Sequence, residues 1–172
     1  MKEKKKYCNS CAGELEERPV EGMLRQVCPA CGHIYYENPL PVVSVIVANE
    51  KGELLLVKRA MEPAKDTWCF PIGFLECGET VEDAALRELK EEAGIEGRIV
   101  RLFDVSSDAT GTYGEVVVAT YLAEKVGGTE AAGDDACDVG YFAPGRLPEL
   151  AFPSQRRAAA LLFSGASRPA GA

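Results

Sequence analysis

The segment GFLECGETVEDAALRELKEEAGI, residues 73–95, is the part of the chain that decides the fold. It opens with a glycine-rich loop and continues into a helix pattern that begins after Thr80 and ends before Gly94. Thr80 is a favourable N-cap, Asp83 occupies the position of a capping-box acid, and glycine commonly follows a helix C-terminus. Leu89 recurs at helical spacing with other apolar residues, so this face of the helix is predicted to be buried.

Three carboxylates lie on one face of this predicted helix. Glu88, Glu91 and Glu92 are spaced at i, i+3 and i+4, with only Lys90 interspersed. Like charges at this spacing destabilise a helix. Oxygen ligands in such a cluster suit hard cations such as Mg²⁺ or Mn²⁺. An exposed acidic helix face is the alternative, and the three glutamates alone favour neither interpretation. Arg87 is expected to orient the cluster.

The residues around the glutamates decide between these interpretations. Nine positions spread over residues 73–95 follow a defined pattern: Gly73, Glu79, Arg87, Glu88, Leu89, Glu91, Glu92, Gly94 and Ile95. This pattern resembles the loop–helix–loop signature of the Nudix hydrolase family at every defined position. The resemblance implies an α/β fold, a Nudix-type α/β/α sandwich with a mixed sheet, and hydrolysis of a nucleoside diphosphate linked to another moiety.

The resemblance also implies a role for each matching residue. The catalytic Mg²⁺ or Mn²⁺ would be bound by the carboxylates of Glu88, Glu91 and Glu92. The carbonyl of Gly73 would add a backbone ligand, Arg87 would hold the carboxylates in position, and Glu79 would steady the junction between loop and helix. Gly94 would end the helix.

The general base is open among several acids. Glu91 and Glu92 are candidates within the signature, but many relatives use an acid from a loop outside it. The candidates outside it are Asp134, Asp135, Asp138 and Glu115. Asp135, in an Asp-rich loop, is preferred, although a surface acid is the common role of each.

Substrate contacts are predicted from residues near the signature. Trp68 and Phe70 precede Gly73, and aromatic faces can stack on a nucleobase. Phe74 is a further candidate, and core packing is the alternative for all three rings. Arg59 ends a predicted strand and is expected to meet a phosphate, with a surface salt bridge as the alternative.

Four of the seven cysteines form a separate pattern near the start of the chain. Cys8-x2-Cys11 and Cys28-x2-Cys31 are separated by 16 residues, the spacing of a two-knuckle zinc site. Four thiolates leave no position for water, so this Zn²⁺ is predicted to be structural. Metal binding should stabilise this small zinc ribbon, and His33 is interpreted as structural.

Composition shifts give the domain boundaries. We predict a zinc ribbon over residues 1–38, a hydrolase domain over 39–163 and a disordered tail over 164–172. Within the second domain, strands are expected at 42–48 and 53–59 as a hairpin, then at 98–105, 115–122 and 139–143. Ser154 is expected to cap a last helix that ends at Phe163.

Charge and hydropathy restrict the partners. The formal net charge is −8, which disfavours a nucleic-acid partner. If the substrate is anionic, a local cation is needed to attract it to this acidic protein. No apolar run approaches the roughly 20 residues needed to span a bilayer. No apolar segment follows the basic start, so no signal peptide is predicted and the expected location is the cytoplasm.

The resemblance narrows the substrate to dinucleotide-like molecules. An N-terminal ribbon is found in the NADH pyrophosphatase group, whose Ser-Gln-Pro-Trp-Pro-Phe-Pro-x-Ser stretch this chain lacks. Residues 151–157, AFPSQRR, look more like shorter zinc-ribbon Nudix proteins linked to ADP-ribose and flavin dinucleotide (FAD) hydrolysis. NADH therefore ranks lower. An inactive nucleotide sensor, a nucleic-acid-binding regulator and an RNA 5′-end hydrolase are the alternatives. Family members often form homodimers, although no residue here indicates one.

Overall fold

The computed structural model describes residues 4–164, so most of the predicted tail, residues 165–172, lies outside the described part. The chain divides into two compact units, Met1–Pro39 and Leu40–Ala172. Across the described residues, neither helix reaches the length and apolar character that a bilayer span requires.

The N-terminal unit is built on a small antiparallel sheet. Its strands, in the order β1-β2-β3, are β1 (Glu16–Val20), β2 (Met23–Val27) and β3 (Ile34–Tyr35). Glu21 and Gly22 join the first two strands with φ of 51° and 79°. Positive φ at both positions gives a two-residue turn whose twist matches that of the strands.

The C-terminal unit contains two sheets and two helices. Its elements are β4 (Leu40–Val47), β5 (Leu54–Arg59), β6 (Trp68–Cys69), β7 (Ile72–Phe74), α1 (Val81–Ala93), β8 (Ile95–Thr110), β9 (Gly114–Gly128), β10 (Ala136–Phe142), a 3₁₀ turn (Pro144–Arg146) and α2 (Pro153–Phe163). One sheet has the order β10-β5-β6 and the other β7-β4-β9-β8. The pairing of β4 with β9 is parallel and the others are antiparallel, so the second sheet is mixed.

The predicted hairpin between the first two strands of this unit is wrong. β4 and β5 belong to different sheets, and only an isolated bridge between Ala48 and Leu54 links them. The edges of β4 are instead paired with β9 on one side and β7 on the other. The turn after β4 therefore carries the chain from one sheet to the other.

Alternate residues of the central strands pack into two separate cores. Val43, Val45 and Leu55 pack with the apolar face of α1, whereas Ile46 and Leu56 pack with α2. Because both faces are covered, β4 is a nearly continuous apolar run rather than an alternating one. The predicted sandwich of a mixed sheet between two helices is confirmed.

The two helices begin in different ways. Thr80 caps α1 as predicted, and its hydroxyl oxygen accepts a hydrogen bond from the Asp83 backbone N–H at 3.1 Å. Ser154 does not cap α2, because that helix starts one residue earlier, at Pro153. The backbone N–H of Ser154 instead donates to the Asp108 carboxylate of β8 at 3.0 Å, and this distant acid stabilises the first turn.

Candidate active site

The three glutamates of α1 differ in their exposure to solvent. Glu88 and Glu92 are buried, whereas the side chain of Glu91 is 46% exposed. The first two are an i, i+4 pair on the face of α1 that packs toward the sheets, and Glu91 lies at the border of that face. A buried carboxylate is costly unless it is paired, and both buried glutamates accept a hydrogen bond, Glu88 from Arg87 of α1 and Glu92 from the backbone of β7.

Arg87 links the glutamates to the loop before α1. Its guanidinium donates two hydrogen bonds to the Glu79 carboxylate, at 3.0 and 2.7 Å, and one to the Phe74 carbonyl at 3.1 Å. Its Nη1 also donates to Glu88 at 2.6 Å and to Glu91 at 3.0 Å. The Arg87 partner lowers the pKa of Glu79 to about 2. A single guanidinium therefore fixes the loop and two of the three carboxylates.

Gly73 lies directly against the carboxylate of Glu88. A Cβ atom added at Gly73 would be 2.0 Å from Glu88 Oε1 and 2.1 Å from its Cδ. Only a residue without a side chain leaves this carboxylate in its position. The Gly73 requirement therefore comes from close approach and needs no unusual φ.

Glu92 is held by the backbone of the same strand. Its Oε2 accepts a hydrogen bond from the Ile72 N–H at 2.9 Å. Burial raises the pKa of Glu92 to about 8, and burial also raises the pKa of Glu88. Two buried carboxyls with raised pKa values indicate a place where a positive charge would be stabilising.

The Asp-rich loop after β9 docks onto the end of α1. The Ala131 N–H donates to the Ala93 carbonyl at 3.0 Å, and the Gly133 N–H donates to the Glu92 carbonyl at 3.2 Å. Gly94, with φ of 71°, ends the helix where the loop carbonyls approach it. Sequence reasoning predicted this loop but not its docking.

The docked loop brings two of the candidate bases to the glutamates. The charge of Asp134 contributes to raising the pKa of Glu88, and that of Asp135 to raising the pKa of Glu92. The other two candidates, Asp138 and Glu115, are exposed on β10 and β9. Asp135 alone among the four lines the cavity described next.

A cavity of about 170 Å³ opens beside Gly73. Its lining includes Arg59 and Asp135 at one side. The Arg59 guanidinium is buried, donates to the Pro63 carbonyl at 2.7 Å and lies 5.2 Å from the Phe152 ring centre. The structure thus brings Arg59, Asp135 and Gly73 to one cavity.

The two aromatic residues predicted before the signature do not reach this cavity. Phe70 is 0% exposed and packs in the core with α2. Trp68 packs edge-to-face on Phe142, with ring centres 4.7 Å apart. Core packing is therefore the role that the structure favours for both rings. Phe74, in contrast, lines the cavity and contacts Tyr113, with ring centres 5.0 Å apart.

Several cavity residues escaped sequence reasoning. Asp108, Thr110 and Tyr113 come from the β8–β9 hairpin, and Phe152 and Ser154 come from the start of α2. The AFPSQRR stretch was noted as a family feature, but it gave no indication of a contact with β8. The polar residues at every second position, Ser106, Asp108 and Thr110, were an available signal that β8 continues to Thr110, beyond the strand predicted at 98–105.

The four cysteines of the N-terminal unit converge on one point. Their Sγ atoms all lie within 4.8 Å of one another, and the cysteines are unpaired by disulfides. Each pair sits in a tight knuckle, closed by Cys8 N–H to Gly13 carbonyl and Cys28 N–H to His33 carbonyl bonds at 2.9 and 2.8 Å. The Tyr35 hydroxyl donates to Cys8 and helps to lower its pKa to about 5.

The two clusters fit different metals. Four convergent thiols provide a closed tetrahedral set for zinc. Among residues 4–164 this is the one group of three or more acidic, thiol or imidazole side chains that converges so tightly. The three carboxylates do not converge in this way, because Glu88 and Glu91 are bound by Arg87 and Glu92 is bound by the Ile72 N–H. Their oxygens, together with the Gly73 carbonyl, suit a hard cation.

Two family models match almost the whole chain. The NUDIX domain matches residues 38–162, and the zinc-ribbon model described as Nudix N-terminal matches residues 6–37. The chain belongs to the Nudix hydrolase family. The N-terminal four-cysteine ribbon expected from the sequence is confirmed.

Individual Nudix relatives differ in the activity that their names give. An ADP-ribose pyrophosphatase of Methanocaldococcus jannaschii is 38% identical over 122 residues, covering 70% of this chain and 72% of that protein. A NAD-capped RNA hydrolase NudC of Chromobacterium violaceum is 29% identical over 149 residues, covering 86% of this chain. This chain spans about half of that relative, 54% of its length.

A solved Nudix hydrolase matches this chain over nearly its full length. The structure of a NUDIX hydrolase from Nitrosomonas europaea has a TM-score of 0.81 and 28% identity. The match covers 98% of this chain and 96% of that one.

Proposed function

We propose that this chain hydrolyses, with Mg²⁺ or Mn²⁺, the pyrophosphate bond of a nucleoside diphosphate linked to another moiety, with ADP-ribose as the preferred substrate. The observation that carries this proposal is the contact between Gly73 and the buried Glu88 carboxylate. That contact places the β7 backbone, with the Gly73 carbonyl, against the helix that carries the three carboxylates. The carbonyl and carboxylate oxygens together form a set of hard oxygen donors.

Four groups would hold the catalytic cation, and Arg87 would position them. They are the carboxylates of Glu88, Glu91 and Glu92 and the carbonyl of Gly73. The chemistry that a bound divalent cation supplies is neutralisation of the diphosphate charge and activation of water. Arg87 keeps Glu88 and Glu91 near one another when their charges repel. The zinc of the four-cysteine site would have a structural role.

Asp135 is the proposed general base. It lies on the cavity wall with Arg59, on a loop that is hydrogen-bonded to the end of α1. A carboxylate there can accept a proton from the attacking water while Arg59 contacts a phosphate oxygen. Glu91 and Glu92 are the alternative bases within the signature, because a carboxylate beside the cation would lie close to the water that the cation activates.

The substrate preference rests on relatives and on cavity size. The relative with 38% identity is named ADP-ribose pyrophosphatase. The cavity of about 170 Å³ is smaller than the roughly 300–1,000 Å³ typical of a site for a whole drug-sized ligand. A site of this size would hold only part of a dinucleotide, so FAD and NADH-like dinucleotides also remain in the proposed substrate class.

Hydrolysis of NAD-capped RNA is a second candidate. Several relatives are named NudC, and one matches 95% of this chain at 28% identity. The formal net charge of −8 opposes a long RNA partner and favours the free dinucleotide.

A substrate panel tests the proposal. The protein and Mg²⁺ are incubated with ADP-ribose, FAD, NADH, dinucleoside polyphosphates, nucleoside triphosphates, NAD-capped RNA and capped RNA, and the nucleotide products are quantified. We expect ADP-ribose to give AMP and ribose 5-phosphate with the highest kcat/KM, and EDTA to abolish product formation. The absence of product from every substrate would contradict the proposal and support a nucleotide sensor.

A further inference from the structure

The segment AFPSQRR, residues 151–157, places one buried amide in the first turn of α2. Gln155 is 0% exposed, although glutamine is a polar residue that is seldom fully buried. A buried amide needs hydrogen-bond partners, and both polar atoms of the Gln155 side chain have them. These partners lie 85 and 111 residues before Gln155 in the sequence. The side chain therefore connects α2 to distant parts of the two sheets.

The Gln155 amide binds both backbone polar groups of Phe70. Its Oε1 accepts a hydrogen bond from the Phe70 N–H at 3.1 Å, and its Nε2 donates one to the Phe70 carbonyl at 3.0 Å. Nε2 also donates to the hydroxyl oxygen of Ser44, a buried residue of β4, at 3.2 Å. A side-chain amide can thus satisfy a backbone N–H and C=O together, in the same way as a neighbouring strand.

Phe70 lies where the chain crosses from one sheet to the other. β6 ends at Cys69 in the sheet with β5, and β7 begins at Ile72 in the sheet with β4. Phe70 and Pro71 form the crossing, and proline has no N–H to contribute to it. The Pro71 carbonyl accepts the Val45 N–H at 2.9 Å. The crossing is therefore held by β4 and, through Gln155, by α2.

The crossing leads directly into the backbone that contacts the carboxylates of α1. Ile72, two residues after Phe70, donates its N–H to Glu92 Oε2 at 2.9 Å. Gly73 follows, and it lies so close to the Glu88 carboxylate that no side chain fits between them. A displacement of Phe70 would therefore move the Ile72 N–H and the Gly73 carbonyl relative to these two carboxylates.

We propose that Gln155 is a positioning residue for the catalytic metal site. By fixing Phe70 from α2, its amide sets the position of the Gly73 carbonyl and of the Ile72 N–H that orients Glu92. The inference rests on the proposed function, because it takes Gly73 and Glu92 as ligands of the cation. Loss of a partner that orients a metal ligand typically changes metal affinity by about 10–100-fold. Removal of the Gln155 amide should therefore weaken cation binding while every ligand stays in the chain.

A purely structural role for Gln155 is the alternative, because the loss of buried hydrogen bonds also destabilises a fold. The two roles differ in their effect on the protein that remains folded. A purely structural residue lowers the unfolding midpoint and leaves the affinity of the folded protein for a cation unchanged. A positioning residue changes that affinity itself.

Binding of Mn²⁺ to the full chain, without substrate, separates the two roles. It is measured by electron paramagnetic resonance at a temperature where each variant is folded. Gln155→Met keeps a side chain of similar length and removes all three hydrogen bonds. Leu56→Ala is the matched control, because Leu56 is fully buried in the same core as α2 and does not line the cavity. Glu92→Gln identifies the site that is titrated.

Gln155→Met is expected to bind Mn²⁺ at the Glu92-dependent site about tenfold more weakly than wild type. Leu56→Ala should have a lower unfolding midpoint, because a large buried side chain is truncated, but the Mn²⁺ affinity of wild type. The kcat of Gln155→Met for ADP-ribose should recover to about the wild-type value at saturating Mn²⁺, because no ligand has been removed.

Gln155→Asn is the second variant, for use if Gln155→Met does not fold. Its amide is one methylene shorter and cannot hold both backbone groups of Phe70 in place, so the same loss of Mn²⁺ affinity is expected. Wild-type affinity in the folded Gln155 variant, or an equal loss of affinity in Leu56→Ala, would overturn the positioning role while the proposed function stands. Equal Mn²⁺ binding by wild type and Glu92→Gln would contradict the proposed function and this inference with it.

Discussion

The four-cysteine cluster and the carboxylate cluster differ in how their candidate metal ligands are positioned. The thiols converge within 4.8 Å and are fixed by backbone turns, in a unit that buries few apolar side chains. The carboxylates are fixed by hydrogen bonds instead, Glu88 and Glu91 by Arg87 and Glu92 by the Ile72 N–H, on a helix whose apolar face is already buried in a large core.

This difference distinguishes a site suited to a structural metal, which stabilises the fold, from a site suited to a catalytic metal, which is held by a fold that is already stable. A closed tetrahedral set has no free position, so its ion can only stabilise the chain. An open set of oxygens on a rigid helix leaves room for water and substrate. The cavity beside Gly73 fits the second role.

Removal of the zinc ligand Cys28 should have the largest effect. Among residues 4–39 the buried apolar side chains are those of Cys8, Val27 and Cys28, too few for a self-sufficient core. Structural zinc contributes about 10–16 kcal/mol in zinc-finger peptides. We expect Cys28→Ser to lose bound zinc and to unfold residues 4–39, as measured by metal analysis and hydrogen exchange.

Cys137→Ser is the matched control for this change. Cys137 is exposed on β10, far along the chain from the cluster, and this variant should keep its zinc. Unchanged exchange protection of residues 4–39 in Cys28→Ser would mean that the ribbon does not depend on metal, and the contrast between the two clusters would fail.

Neutralising Glu92 should remove activity without removing the fold. In Glu92→Gln the amide oxygen can still accept the Ile72 N–H, and a neutral group of the same shape replaces a buried carboxyl. We expect kcat for ADP-ribose to fall about 10³-fold, in the range for loss of one catalytic charged group. The thermal unfolding midpoint of the metal-free protein should stay the same or rise.

Glu96→Gln provides the comparison, because Glu96 forms an exposed ion pair with Lys90 and is outside the cavity lining. Activity of Glu92→Gln within a few-fold of Glu96→Gln would exclude a metal-binding or catalytic role for Glu92.

Adding one methyl group at Gly73 should have an intermediate effect. The new Cβ displaces the Glu88 carboxylate, which can rotate away, so the free energy of unfolding should change by less than about 1 kcal/mol. The Mg²⁺ concentration that gives half of the maximal rate should rise roughly 10–100-fold, because the Glu88 carboxylate would no longer be positioned to bind the cation. Gly111→Ala, with open space around the added Cβ, is the control. An unchanged Mg²⁺ titration would show that Glu88 need not stay beside Gly73.

Local features of this fold were predictable, and features made by distant segments were not. The cap at Thr80, the end of α1 at Gly94 and the convergence of two cysteine knuckles depend on residues close in sequence. The β4–β5 hairpin was mispredicted because turn residues after β4 do not show that both edges of β4 are taken by later strands.

The candidate site divides along the same line. The half that is proposed to bind metal lies within one helix and the loop before it, so the spacing of residues along the chain was sufficient to predict it. The rest of the cavity brings together Asp108 and Ser154, 46 residues apart, and residues of β4, β7 and β9. Phe70 illustrates the limit, because its place near the signature predicted a ligand contact, whereas its backbone is bound by Gln155 of α2 and its ring packs in the core with that helix.

The smallest expected effect is a pH-dependent loss of stability. It would come from the ion pair between Arg87 and Glu79, which holds the loop before α1. Arg87 lowers the pKa of Glu79 from 4.5 to about 2 in the folded protein. A depressed acid contributes stability above its unfolded pKa and loses that contribution as pH falls through its folded pKa. Glu79→Gln should therefore be less stable than wild type at pH about 6, and the difference should vanish as pH approaches about 2. Denaturant unfolding between these limits measures it, with Glu50→Gln in an exposed turn as the control. A constant difference across this pH range would indicate that packing, and not the charge of Glu79, secures the loop.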